Sequence, residues 1–196
     1  MDIVLISGYL GTGKTTLVLA LIEFMANKSK KKIAVLVNDF GRIGIDGKIM
    51  NKFGISVKEL PSGCICCSLG ANLLAAVETV KELFNPDLLI IEPSGVADPG
   101  AVRDLLKAPK NRSYQSIKTV VMIDAIRHAS IIKALGALVE KQLAAADILI
   151  LNKIDQAEEK DLFTIEQAIR TQGITVPLIR VSAKTRLNLN LFLDVI

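Results

Sequence analysis

Short apolar runs without polar alternation recur along the chain at Ile3 to Ile6, Ile33 to Val37, Leu88 to Ile91, Thr119 to Ile123, Ile148 to Leu151 and Pro177 to Val181. Runs of this length suit strands buried on both faces. Between most of them the apolar positions take helical spacing. Leu17 to Met25 follows the first run, and Leu69 to Phe84 carries Leu73, Leu74, Val77, Val80 and Phe84 before stopping at Asn85-Pro86. Asp98-Pro99 predicts an N-cap with proline in the first helical position, opening a helix through Leu106. Glu158 to Arg170 and Leu187 to Val195 supply two later helices.

Strand-then-helix order predicts a doubly wound, mostly parallel sheet in a three-layer α/β/α arrangement, because parallel strands need long crossovers. Ligands of such a sheet sit at the carboxyl ends of its strands. No linker, internal repeat or low-complexity segment divides the chain, so one domain over residues 1–196 is expected.

Composition narrows the function. With 51% hydrophobic against 22% charged residues, a disordered chain is excluded. A formal charge of +4 suits an anionic ligand, while 4% aromatics and no Trp leave little for base-stacking platforms, so no nucleic-acid partner is expected. The first apolar run ends in glycines rather than at a cleavage site and reads as a strand. Leu60 to Val77 carries no charge but is broken by Pro61, Gly63, Gly70 and Asn72, so no membrane span is predicted. The three cysteines, Cys64, Cys66 and Cys67, are too close together to staple a fold, which implies a reducing, cytoplasmic setting.

Gly8-Tyr9-Leu10-Gly11-Thr12-Gly13-Lys14-Thr15 fits the pattern G-x-x-x-x-G-K-[ST] and stands directly after a predicted strand and before a predicted helix. This predicts a P-loop nucleotide-binding fold. Gly8, Gly11, Thr12 and Gly13 let backbone N–H groups wrap phosphates, Lys14 reaches the β and γ oxygens, and Thr15, followed by Thr16, offers a hydroxyl to Mg²⁺.

Asn152-Lys153-Ile154-Asp155 follows the Ile148 run on the same sheet edge. The Asp155 carboxylate can accept two guanine hydrogens that adenine does not present, Asn152 can donate to the base, and the Lys153 stem can lie along its plane. Ser182-Ala183-Lys184 resembles the short loop that offers a backbone N–H to the guanine oxygen. GTP is therefore favoured over ATP. Glu92-Pro93-Ser94-Gly95 ends another strand, where an acid can hold a Mg²⁺-bound water and the Gly95 N–H can meet the γ-phosphate. No Gln follows Gly95, so slow unaided hydrolysis is expected, with Lys14 and Glu92 among the catalytic groups.

Gly63-Cys64-Ile65-Cys66-Cys67 can supply three soft ligands to a tetrahedral ion, and a helix starting near Leu69 would lower the thiol pKa values through its N-terminal dipole. Other features read more plainly. Asp39-Phe40-Gly41 spells a kinase triplet without a kinase catalytic loop, Lys28 to Lys32 is a charge run closing the first helix, and His128 reads as a helix-surface residue.

GYLGTGKTT, NDFGRIGIDG, GCICC, EPSGVADP, NKID and SAK occur in the order seen in the CobW-like metal-centre GTPases, relatives of HypB and UreG, and the chain resembles that family over essentially its whole length. The resemblance implies a P-loop GTPase that handles zinc, cobalt or nickel during metal delivery or cofactor assembly, with a client metalloprotein or assembly enzyme as partner. It also implies a homodimer that depends on nucleotide or metal. It makes Cys64, Cys66 and Cys67 a CxCC metal site, Glu92 the family's unusual acid, and Asp39 the switch acid near Mg²⁺, with a catalytic part. Acids common in relatives are replaced here by Val37 and Arg42, a His-rich segment is absent, and so is the second, carboxy-terminal domain of many relatives. The expected function is a GTP-hydrolysing metallochaperone or metal-cofactor assembly factor. The alternative is a GTP-gated activator of a corrinoid or metallo-enzyme partner with structural cysteines; a P-loop ATPase or kinase is disfavoured by Asn152 and Asp155.

Overall fold

Every strand of the sheet runs parallel to its neighbours, so each connection has to cross a face, and the described crossovers are helices. The computed structural model describes residues 1–28, 31–37, 56–59, 69–108 and 114–196. The strands are β1 (Asp2–Gly8), β2 (Ile33–Val37), β3 (Ser56–Glu59), β4 (Leu88–Glu92), β5 (Ile117–Asp124), β6 (Ile148–Asn152) and β7 (Leu178–Val181). The helices are α1 (Lys14–Lys28), α2 (Leu69–Phe84), α3 (Pro99–Lys107), α4 (His128–Ala144), α5 (Glu159–Thr171) and α6 (Leu189–Leu193). The seven strands take the order β3-β2-β4-β1-β5-β6-β7.

Alternate residues of each strand feed opposite layers. Val4 and Ile6 of β1, with Val120 and Met122 of β5, pack against Leu17 and Leu21 of α1 and Phe192 of α6. Ile3 and Leu5 face the other way, onto Leu73 and Val77 of α2 and Val102 and Leu106 of α3. The register Leu5↔Thr119 and Ser7↔Val121 puts Val121 on that same second face, where α4 and α5 cover the β5 and β6 end of the sheet. Both faces of β1, β2, β4 and β6 are therefore dry, which is why these strands read as continuous apolar runs; β7, at the sheet edge, is only partly buried and its Arg180 pairs with Glu166. Phe192 is fully buried although α6 is short; removing its ring should cost roughly 3–5 kcal/mol.

The Asp98 cap forms as expected, its Oδ1 accepting from the N–H groups of Gly100 at 2.8 Å and Ala101 at 3.3 Å. Two elements go beyond the sequence reading. β3, Ser-Val-Lys-Glu, adds an edge strand where the predicted sheet stopped at β2; such short, charged strands are typical of edges. Helix α4 fills the interval between β5 and β6 and is bent at Leu135, which has non-helical backbone angles beside Gly136. His128 opens this helix half-buried rather than on its surface, and burial lowers its pKa. Among the described residues no helix is long and apolar enough to cross a membrane.

Candidate nucleotide site

The loop between β1 and α1 curls around a cleft of about 550 Å³ at the carboxyl edge of the sheet, lined by Gly13, Lys14, Thr15, Glu92 and Gly95 among others. Gly8, Gly11 and Gly13 all have positive φ, the condition for turning successive N–H groups towards one anion. The requirement is strictest at Gly8: its φ is +135°, and a Cβ there would lie 2.5 Å from the Met122 carbonyl oxygen. Thr12 points inward, its hydroxyl donating to the Tyr9 carbonyl at 2.8 Å.

Lys14 folds back over this loop, its Nζ donating to the carbonyls of Gly8 at 2.9 Å and Tyr9 at 3.3 Å. Burial pushes its pKa down, partly opposed by the nearby charge of Glu92. A bound triphosphate would supply the counter-charge that the desolvated ammonium calls for. The Thr15 hydroxyl donates to Glu92 Oε1 at 2.8 Å, so the first turn of α1 and the end of β4 present a hydroxyl and a carboxylate side by side. These hard oxygen donors fit Mg²⁺, which usually takes one or two protein oxygens and keeps its remaining positions for water and phosphate.

A second, smaller hollow of about 190 Å³ adjoins the first and is lined by Thr16, Asn152, Lys153, Asp155, Ser182 and Lys184, among others. Asp155 is exposed into it. A hydrogen bond from the Ser182 hydroxyl holds the Asp155 carboxyl below the usual range, with the charge of Lys184 adding a smaller pull. Lys153 sits in the left-handed region, φ +70°, which turns the chain from β6 into the short 3₁₀ turn carrying Asp155.

Asn152 joins two loops. Its Nδ2 donates to the Thr12 carbonyl at 2.7 Å and its Oδ1 accepts the Ala183 N–H at 2.9 Å. It thus clamps the phosphate loop to the 182–184 loop. In the latter loop the Ala183 and Thr185 N–H groups go to Asn152 and to Ser182 Oγ, and Lys184 between them lines the hollow.

Three contributors escaped the sequence reading. Asp124, 1% exposed at the end of β5, accepts from Lys153 Nζ and from Arg127 Nε, each at 2.7 Å. Arg127 also donates to the Leu10 carbonyl at 2.9 Å. Burial alone would raise the Asp124 pKa, but the Lys153 and Arg127 hydrogen bonds outweigh it and the carboxyl lies below its usual range. The third is Gln142, buried on α4, whose Nε2 donates to the carbonyls of Gly95 and Ala97 at 3.2 Å each. A carboxylate closing an apolar run, Ile-Asp-Ala, was the available signal for Asp124; nothing local marks Gln142. Asp39, Cys64, Cys66 and Cys67 lie outside the described residues.

The family profile described as CobW/HypB/UreG, nucleotide-binding domain, matches residues 2–178. The zinc chaperone YeiR of Escherichia coli is 38% identical over 168 residues, covering 85% of this chain and 49% of YeiR. The zinc chaperone CobW of Sinorhizobium sp is 30% identical over 204 residues, covering 88% of this chain and 56% of that protein. The chain thus spans about half the length of the curated relatives it matches. Among solved structures, the Zn(II)-bound YjiA GTPase of E. coli superposes with a TM-score of 0.69 at 24% identity, over 92% of this chain and 57% of YjiA, which establishes a shared fold. Through the profile match and the YeiR identity together, the chain belongs to the CobW/HypB/UreG family of GTPases.

Proposed function

We propose that this chain is the GTP-binding and GTP-hydrolysing part of a metallochaperone or metal-cofactor assembly factor, in which the nucleotide state governs the holding and release of a transition metal by Cys64, Cys66 and Cys67. Gly8, Gly11, Thr12, Gly13, Lys14, Thr15 and Thr16 bind the phosphates. Asp155 and the Lys184 N–H read guanine, Lys153 lies along its plane, and Asn152, Ser182 and Ala183 hold these groups in place. Thr15, Asp39 and Glu92 hold Mg²⁺, directly or through water. When bound, Mg²⁺ neutralises charge on the β and γ phosphate oxygens.

Water attacks the γ-phosphorus, the bond to the β–γ bridging oxygen breaks, and GDP and phosphate leave. Lys14 and the loop N–H groups stabilise the charge on the oxygens as it shifts. The missing Gln after Gly95 keeps this slow until a client supplies what orients the water.

The observation that carries the metal part of the reading is a row of strand ends. Glu59 of β3 is in register with Val37 of β2, and Val37 with Glu92 of β4. Two strand spacings, about 10 Å, separate the Glu59 and Glu92 backbones, so the chain leaves β3 towards the cysteines from the edge that carries the nucleotide cleft. The names of YeiR and CobW as zinc chaperones favour zinc as cargo, with cobalt and nickel as the other candidates. The exposed apolar residues Leu10, in the cleft, and Val96, next to the Gly95 that lines it, support a homodimer that forms with nucleotide or metal.

The test is hydrolysis of GTP and of ATP by anaerobically prepared protein with and without stoichiometric zinc, alongside the Cys64→Ser, Cys66→Ser, Cys67→Ser triple variant. Hydrolysis that prefers GTP and responds to zinc in the wild type alone supports the reading. A rate indifferent to zinc, or a response that survives the triple variant, removes its metal part.

A further inference from the structure

We propose that Gln142 is a positioning residue that holds the 93–98 loop ready for the γ-phosphate. The inference rests on the reading that the Gly95 N–H meets that phosphate. Gln142 is 2% exposed and lines a small cavity with Val121 and Ile123 of β5 and Val139 and Leu143 of α4, Thr12 and Asp124 beside them. A primary amide is unfavourable in such a place unless its hydrogens are used, and both are aimed at one loop, at the Gly95 and Ala97 carbonyls.

Those two bonds grip the segment from outside while it braces itself from within. The Ala97 N–H returns to the Ser94 carbonyl at 3.0 Å, forming a tight turn. Gly95 lies so close to the phosphate loop that a Cβ on it would stand 2.8 Å from the Leu10 nitrogen and 3.2 Å from Lys14 Nζ. Downstream, Asp98 caps α3, and Arg103 of α3 donates to the Ala145 carbonyl just after α4, at 3.0 Å. The loop is therefore fixed at β4, at α3 and, midway, by Gln142. Gln142 fixes the two peptide planes that follow the sensing N–H, Gly95–Val96 and Ala97–Asp98, and the Ala97 N–H fixes the Ser94 carbonyl in the plane that contains it, so GTP does not have to order them on binding. GDP, lacking the γ-phosphate, gains nothing from this.

Gln142→Met keeps the volume and removes the donors; Gln142→Glu keeps the shape and leaves at most one donor, from a carboxyl that burial keeps protonated, for the two carbonyls. For both, affinity for a non-hydrolysable GTP analogue should fall about tenfold while GDP affinity stays within about twofold, and kcat should fall more than KM rises. Equal losses for both nucleotides, or none, would overturn the proposal. Gly95→Ala separates this from the underlying reading: a lost GTP preference there with an intact one in Gln142→Met sinks the Gln142 role alone, whereas an intact preference in both sinks the loop reading as well. If neither Gln142 variant folds, the wild-type Gln142 side-chain amide resonance decides: it should exchange slowly with solvent and shift when GDP is replaced by the GTP analogue, and an unchanged shift would overturn the proposal.

Discussion

Asn152 donates to the Thr12 carbonyl at 2.7 Å, a bond that joins the end of β6 to the phosphate loop across 140 residues of sequence. With its oxygen holding the Ala183 N–H, one side chain fixes the distance between the phosphate cradle and the guanine hollow. Asn152→Ala leaves a buried carbonyl and a buried N–H without these partners. Affinity for GTP and for GDP should fall together, by about 10- to 100-fold, from roughly 1–3 kcal/mol of lost hydrogen bonding. Titration with fluorescent nucleotides reads this, and a loss confined to GTP would contradict the clamp.

Guanine recognition should persist well into acid. The Ser182 hydroxyl bond holds the Asp155 pKa below the usual carboxylate range, so the charged form exists above that range and is lost only as pH falls through the depressed value. The preference for GTP over ATP, whose phosphates titrate alike, should be flat from about pH 8 to about pH 5, and Ser182→Ala should move its acid limb upward. Asp155→Asn should exchange a preference for GTP for one for xanthosine triphosphate, whose C2 carbonyl matches the amide donor. Competition binding across pH checks both.

Asp124 ties two cations to a buried strand end, and its depressed pKa makes that contribution pH-dependent. The stability it adds is present above the usual carboxylate range and lost as pH falls through the folded-state value. Because both cations are partly exposed, Asp124→Asn should cost about 1–2 kcal/mol at neutral pH rather than the larger figure for a fully buried pair. Urea unfolding at about pH 7 and about pH 3 should show this gap at the first and its narrowing at the second. An equal gap at both would remove the carboxylate as its source.

Glu92→Gln should raise the Mg²⁺ concentration needed for half-maximal hydrolysis by about tenfold, while GDP binding without Mg²⁺ changes little. The basis is the Glu92 oxygen that accepts the Thr15 hydroxyl at the mouth of the cleft. An unchanged Mg²⁺ dependence would place the metal elsewhere.

The sequence foretold this architecture where chemistry is local. Runs such as Leu88 to Ile91 have no polar alternation because helices cover both faces, and the phosphate loop declares itself by glycines that must take positive φ. β3 hid because an edge strand of Ser-Val-Lys-Glu needs neither apolar face, and α4 because its pattern breaks at Leu135 and Gly136. Gln142, Arg127 and the clamping role of Asn152 escaped for a different reason. Each acts on a backbone atom between 45 and 140 residues away, and which carbonyl a side chain meets depends on how layers stack, not on spacing along the chain.

Thiolate occupancy and nucleotide state should influence each other. Zinc affinity of anaerobic wild-type protein, measured with GTP analogue and with GDP, should differ by some factor, and GTP-analogue-over-GDP preference measured with and without zinc should change by that same factor, as linkage requires. A matched factor of about five or more supports the account; zinc affinity identical in the two nucleotide states would contradict it.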